Sequence, residues 1–169
     1  MSSVIMLSGP IGAGKTTIAR ELLSLLPAPA AYLEGDTFWS FFAKNGARTQ
    51  RENFPVLLRS MTAAASPLAR AGFDVLLDFS IPAQFLPTAR KILKELPLDY
   101  IVVKPSLAVC EKRAGERGEG RIANYAPYRS FYALFDTEER FTICDDQASA
   151  ALVAARIRDG LSAGKFRTA

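Results

Sequence analysis

An apolar run, Val4-Ile5-Met6-Leu7, leads into Gly9-Pro10-Ile11-Gly12-Ala13-Gly14-Lys15-Thr16, and an amphipathic stretch leaves it. The octet matches G-x-x-x-x-G-K-[ST] in the context that gives that pattern meaning, strand before and helix after. Each part has a physical reason. The glycines let backbone N–H groups converge on phosphate oxygens with no Cβ in the way. The helix that follows adds the positive end of its dipole. Lys15 is placed to reach β- and γ-phosphates, and the Thr16 hydroxyl to meet Mg²⁺. A segment of this kind constrains the fold as well, because it needs a strand and a helix meeting at one sheet edge. The ligand it implies is ATP, with Mg²⁺.

The rest of the chain supplies such a sheet. Short apolar runs alternate with longer amphipathic ones. The reading is strands over 4–8, 31–33, 73–78, 98–104 and 140–144, with helices over 15–26, 38–44, 53–71, 82–96, 107–117, 127–135 and from about 145 to 161. Ser80 is the expected N-cap of the 82–96 helix, Gly72 the stop of the 53–71 helix, and Asp145 or Asp146 the start of the last one. Residues 118–124 read as a polar loop and 164–169 as a loosely held tail. Strands alternating with helices predict right-handed crossovers and an α/β fold of three layers, a parallel sheet with helices on both faces. At 169 residues the chain suits one compact domain, 1–169.

Composition removes several function classes. There is no histidine, which excludes a Ser-His-Asp triad and deprives a zinc hydrolase site of its commonest ligand. Any general base is then a carboxylate or, less often, Lys or Tyr. Cys110 and Cys144 have no metal-like spacing and read as buried, reduced thiols. No run of about 18 apolar residues is present, and the start has no basic region before its short apolar run; the expectation is a cytoplasmic protein without a membrane span. The net charge of +4 is small enough for ATP alone to account for it.

A phosphoryl acceptor must be oriented at the C-terminal edge of the sheet. Two segments put carboxylates there. Glu34 and Asp36 stand two apart around Gly35, so in extended chain they share a side. Asp78 ends the apolar run Val75-Leu76-Leu77, the form of an element that holds a Mg²⁺-bound water. Later, Arg113 and Arg117 are four apart and on a helix would share a face, while Gly115, Gly118 and Gly120 would allow a hinge. Residues 113–126 are therefore a candidate lid whose arginines neutralise charge on a transferring phosphoryl. Residues 37–60 are a candidate acceptor cover. There Phe38, Trp39, Phe41, Phe42 and Phe54 lie among Lys44, Arg48, Arg51 and Arg59, either as a pocket or as core aromatics beside solvated cations.

On these motifs the chain resembles the small P-loop kinases: gluconate kinase, shikimate kinase, the chloramphenicol phosphotransferase-like proteins, and the group with zeta toxins and polynucleotide kinases. It looks closest to short proteins of that group described only as AAA-type ATPases. The resemblance covers nearly the whole chain and rests on Gly9 to Thr17, on Glu34-Gly35-Asp36-Thr37-Phe38-Trp39, on Asp78, and on the arginine-bearing lid. It implies sheet order 2-3-1-4-5. It also implies nucleotide contacts from the loop through Thr17 and from Arg113 and Arg117, a metal subsite drawing on Thr16 with Glu34 or Asp78, and Asp36 toward the acceptor hydroxyl. The short lid departs from adenylate kinases and speaks against a mononucleotide substrate. The expected activity is transfer of the γ-phosphoryl of Mg-ATP to a hydroxyl of a small molecule, with Lys15, Asp36 and Arg117 catalytic. The alternatives are a kinase of a nucleic-acid 5′-hydroxyl or nucleotide sugar, and an ATP-binding switch protein.

Overall fold

A computed structural model describes residues 2–44, 46–118 and 120–168. Met1, Asn45, Glu119 and Ala169 lie outside the described residues, and with them the two ends of the expected domain, one position each of 37–60 and 113–126, and the last residue of the expected tail. The elements run β1 (Val4–Ser8), α1 (Lys15–Leu25), β2 (Ala30–Glu34), α2 (Gln50–Arg70), β3 (Asp74–Asp78), α3 (Leu86–Leu93), β4 (Leu98–Val103), α4 (Leu107–Gly115), α5 (Arg129–Ala133), β5 (Thr142–Ile143) and α6 (Ala150–Ser162). All strand pairs are parallel and the order is β2-β3-β1-β4-β5, as expected.

β1 is buried along its whole length, as a central strand covered on both faces must be. Its side chains alternate between two cores. Val4 and Met6 join Leu57, Met61, Val75, Leu77 and Tyr100 beneath α2 and α3. Ile5 and Leu7 join Ile18, Leu22, Leu76, Ile101 and Ile157 beneath α1 and α6. This period of two places Tyr32, Leu76 and Asp78 on the α1 side of the sheet. Asp78, in register with both Leu7 and Glu34, therefore ends up next to the loop that leaves β1.

Several boundaries differ from the sequence reading, each for a local reason. α2 begins at Gln50 rather than 53 because Thr49 and Glu52 form a capping box, Glu52 N–H donating to the Thr49 hydroxyl and Thr49 N–H to the Glu52 carboxylate. It ends at Arg70, with Ala71 as its cap before Gly72. Residues 35–41 form a 3-10 turn instead of an α-helix over 38–44. α3 starts only at Leu86, after a 3-10 turn at 83–85, since Pro87 is tolerated only in the first turn; Ser80 caps nothing. A 3-10 turn at 126–128 precedes the short α5. β5 is reduced to Thr142 and Ile143, because a 3-10 turn occupies 139–141. α6 is capped by Ser149, whose hydroxyl accepts from Leu152 N–H, and not by either aspartate.

Two further expectations fail. Cys110 is buried but Cys144 is exposed. The tail is pinned rather than loose. Phe166 is 1% exposed and seats against Gly160 of α6, where an added Cβ would come within 2.3 Å of its ring. Tyr100 N–H donates to the Phe166 carbonyl, Thr168 N–H to that of Leu98, and Arg167 pairs with the buried Asp99 at 2.9 Å. Among the described residues no helix is long and apolar enough to cross a membrane.

Candidate active site

The octet wraps the start of α1. Gly9, Gly12 and Gly14 have φ of 147°, 84° and 88°, values that L side chains rarely adopt. Space agrees with conformation: a Cβ on Gly9 would lie 2.1 Å from the Val103 carbonyl oxygen, and one on Gly12 2.2 Å from that of Cys110. β4 and α4 thus press against the loop and only glycine fits. Lys15 folds back over it, donating to the Gly9 and Pro10 carbonyls at 3.1 Å each. Burial pushes the Lys15 pKa down, against the opposing pull of the Asp78 and Asp36 charges.

Asp78 is 4% exposed. Its Oδ2 accepts from the Thr16 hydroxyl at 2.8 Å and from the Tyr32 hydroxyl at 3.2 Å. Burial pushes its pKa up; the Lys15 charge and the two hydroxyl donors oppose that. Glu34 closes β2 directly beside Asp78. Gly35 then turns the chain away, so Glu34 and Asp36 are not in one extended segment as expected, yet both border the same cleft. The turn has a packing cause. A Cβ on Gly35 would lie 2.4 Å from the Phe79 ring, which packs on this backbone.

The cleft has a volume of about 860 Å³. Ile11, Gly12, Gly14, Lys15, Thr16, Thr17, Glu34, Asp36, Asp78, Arg113 and Arg117 all line it, from among the residues singled out in the sequence. Gly9, Pro10 and Ala13 belong to the same loop behind that wall. α4 stops at Gly115, so Arg117 lies beyond it and does not share a helical face with Arg113; the two converge because the chain turns. Arg113 also points its guanidinium at the Ala13 carbonyl, 3.5 Å away. Among the described residues, none of 37–60 belongs to this lining. Phe38, Trp39, Phe42 and Phe54 pack on the α2–α3 core, Phe41 is exposed, and Arg48 donates to the Asn53 side chain.

Other contributors were not read as site residues in the sequence. Arg20, Ser80 and Phe79 border the cleft. Tyr125, 5% exposed, donates to the Ile11 carbonyl at 2.8 Å and ties the end of segment 113–126 to the phosphate-binding loop. A second cavity of about 210 Å³ adjoins through Gly14, Thr17 and Arg113, walled by Val103, Pro105 and the turn before α6. That turn is set by Asp145, which accepts from Gln147 and Ala148 N–H and pairs with Arg156, holding its pKa down at about 2. The two spaces thus sit side by side, sharing Gly14, Thr17 and Arg113. Among the described residues no cluster of three or more His, Cys, Asp or Glu side chains forms a metal cage. The donor set at Thr16, Asp78 and Glu34 is all oxygen. It fits Mg²⁺, which takes one or two protein ligands and completes its shell with phosphates and water.

A family profile described as an AAA domain matches residues 4–140, and the chain belongs to that family. Its fold is that of the small P-loop kinase superfamily. The APS kinase of Mycobacterium tuberculosis, solved with AMPPNP and APS, superposes with a TM-score of 0.73 at 21% identity, over 95% of this chain and 98% of its own. A gluconokinase from Sinorhizobium meliloti gives 0.67 at 15% identity, over 95% and 92%. The shikimate kinase of Acinetobacter baumannii, solved with shikimate, gives 0.58 at 21% identity, over 98% and 96%. No protein of curated function matches in sequence.

Proposed function

We propose that this chain is an ATP-dependent phosphotransferase that moves the γ-phosphoryl of Mg-ATP to a hydroxyl of a small molecule. One observation carries the reading: Asp36, an exposed carboxylate, borders the same cleft as Lys15, Thr16, Asp78 and the two arginines. A carboxylate on the open side of the cleft is placed to orient an incoming hydroxyl and accept its proton. That solved structures of like fold are kinases of small molecules supports the same class.

In this reading the loop N–H groups and Lys15 hold the phosphates, and Lys15 exchanges its loop carbonyls for phosphate oxygens. The adjoining cavity beside Gly14 and Thr17 takes the base of the nucleotide. Mg²⁺, carried in with ATP, supplies neutralisation of phosphate charge. Thr16 and Asp78, with Glu34 beside them, are the residues that would hold it or its waters. Asp36 orients the acceptor O–H and takes its proton as the new O–P bond forms and the bond from the γ-phosphorus to the bridging oxygen breaks, with ADP leaving. Arg113 and Arg117 offset the charge that spreads over the transferring group.

The test is ATP turnover with and without a panel of hydroxyl compounds (sugars, sugar acids, cyclitols, nucleosides and hydroxylated antibiotics). The reading expects turnover to rise many-fold with one chemical class. Slow turnover that no hydroxyl compound changes would favour the ATP-binding switch instead.

A further inference from the structure

Tyr32 stands opposite Leu76 in the β2–β3 register, two residues short of the Glu34–Asp78 pair. A tyrosine there is long enough to reach diagonally along the sheet to the residue two further on. It does so, and its hydroxyl lands on the same Asp78 oxygen that accepts from Thr16. The ring packs partly buried against the α1-side core, with Arg20 of α1 and the Glu34 carboxylate as its charged neighbours. Asp78 is thus gripped from two elements at one oxygen: from α1 by Thr16 and from the outermost strand by Tyr32.

A carboxylate has room for about four donors, two per oxygen. With both donors on Oδ2, the carboxylate cannot rotate without breaking two hydrogen bonds, and Oδ1 stays available for a further partner. Thr16, which lines the cleft, spends its proton on Asp78, which leaves its oxygen free to act as an acceptor or ligand. Both are what an Mg²⁺–water shell at this place requires. We propose that Tyr32 is a positioning residue for the metal subsite: it holds Asp78 so that Thr16 and Asp78 present oxygen to Mg²⁺ in one fixed geometry. The proposal rests on the Mg-ATP reading above but not on any acceptor.

The experiment is calorimetric titration of the full chain with the non-hydrolysable β,γ-imido analogue of ATP, across a range of Mg²⁺ concentrations and in EDTA. For Tyr32→Phe, the Mg²⁺ concentration giving half the gain in affinity should rise about three- to tenfold, the worth of one hydrogen bond. Affinity in EDTA should stay at the wild-type value. In an Asp78→Asn background, Tyr32→Phe should add no further shift. If Tyr32→Phe does not fold, Tyr32→Met, which fills irregular space without a hydroxyl, goes through the same titration. An unchanged Mg²⁺ dependence overturns the proposal. So does an equal loss of affinity in EDTA, which marks a packing role, or an undiminished shift in the Asp78→Asn background. A wild-type protein that binds the analogue equally with and without Mg²⁺ instead overturns the Mg-ATP reading beneath it.

Discussion

The three carboxylates around the cleft differ in their surroundings, and those surroundings predict different defects. Asp36 is exposed on a turn, whereas Asp78 is buried against Thr16, Tyr32 and the Lys15 charge. Asp36→Asn keeps the side-chain size but removes the charge and the proton acceptor. It should cut transfer by about 10²-fold, the lower end of what a positioned base contributes, and leave binding of a non-hydrolysable ATP analogue nearly intact. Asp78→Asn should weaken Mg²⁺-dependent binding and rate together. Calorimetry alongside turnover separates the two; loss of binding in Asp36→Asn with retention in Asp78→Asn would reverse the assignments. Gly35 makes a separate prediction. A Cβ there must push on the Phe79 ring, which is itself wedged among Trp39 and Phe54. Gly35→Ala should cost about 1–3 kcal/mol in denaturant unfolding, as overpacking does, and should lower turnover by displacing Glu34 and Asp36.

Among the elements, α4 and the segment after it carry the two arginines that line the cleft. Arg113 is on the helix and already faces the phosphate-binding loop, while Arg117 is exposed beyond the helix end. Arg117→Ala should therefore lower kcat with little change in analogue affinity, and Arg113→Ala should weaken nucleotide binding as well. Steady-state kinetics and calorimetry on both variants check this, with unfolding midpoints expected near wild type. Tyr125, through its bond to Ile11, ties the far end of 113–126 to the loop before α1. β1, β3 and β4 and the glycine-rich loop were legible in the sequence because burial on both faces and the glycine pattern are local signals. The Thr49–Glu52 capping box is a local signal too, and it starts α2 at Gln50, ahead of the 53 of the sequence reading. What could not be read was produced by packing. The diagonal reach of Tyr32 to Asp78 and the bond of Arg167 to Asp99 join residues distant in the chain.

At the scale of the molecule, the sheet order brings the ends of β1, β2 and β3 to one edge, which is why the glycine-rich loop, Glu34, Asp36 and Asp78 meet there. The opposite edge is closed by the chain's own C-terminal residues. Phe166 fills space over Gly160, and Arg167 neutralises the buried Asp99. Phe166→Ala should destabilise the fold by about 3–5 kcal/mol, since it empties a fully buried aromatic site. Because the tail lies away from the cleft, nucleotide affinity of the protein that remains folded should be unchanged. The central claim is that this edge transfers a phosphoryl group to a small hydroxyl compound. Its most direct test is incubation of the purified chain with Mg-ATP and a cellular small-molecule extract, read by mass spectrometry against the Lys15→Ala variant. Loss of the Lys15 charge should remove about 3 kcal/mol of transition-state stabilisation. The account predicts a hydroxyl compound that gains one phosphoryl group with wild-type protein and not with Lys15→Ala. Consumption of ATP to ADP and free phosphate alone, with no compound gaining a phosphoryl group, would contradict it.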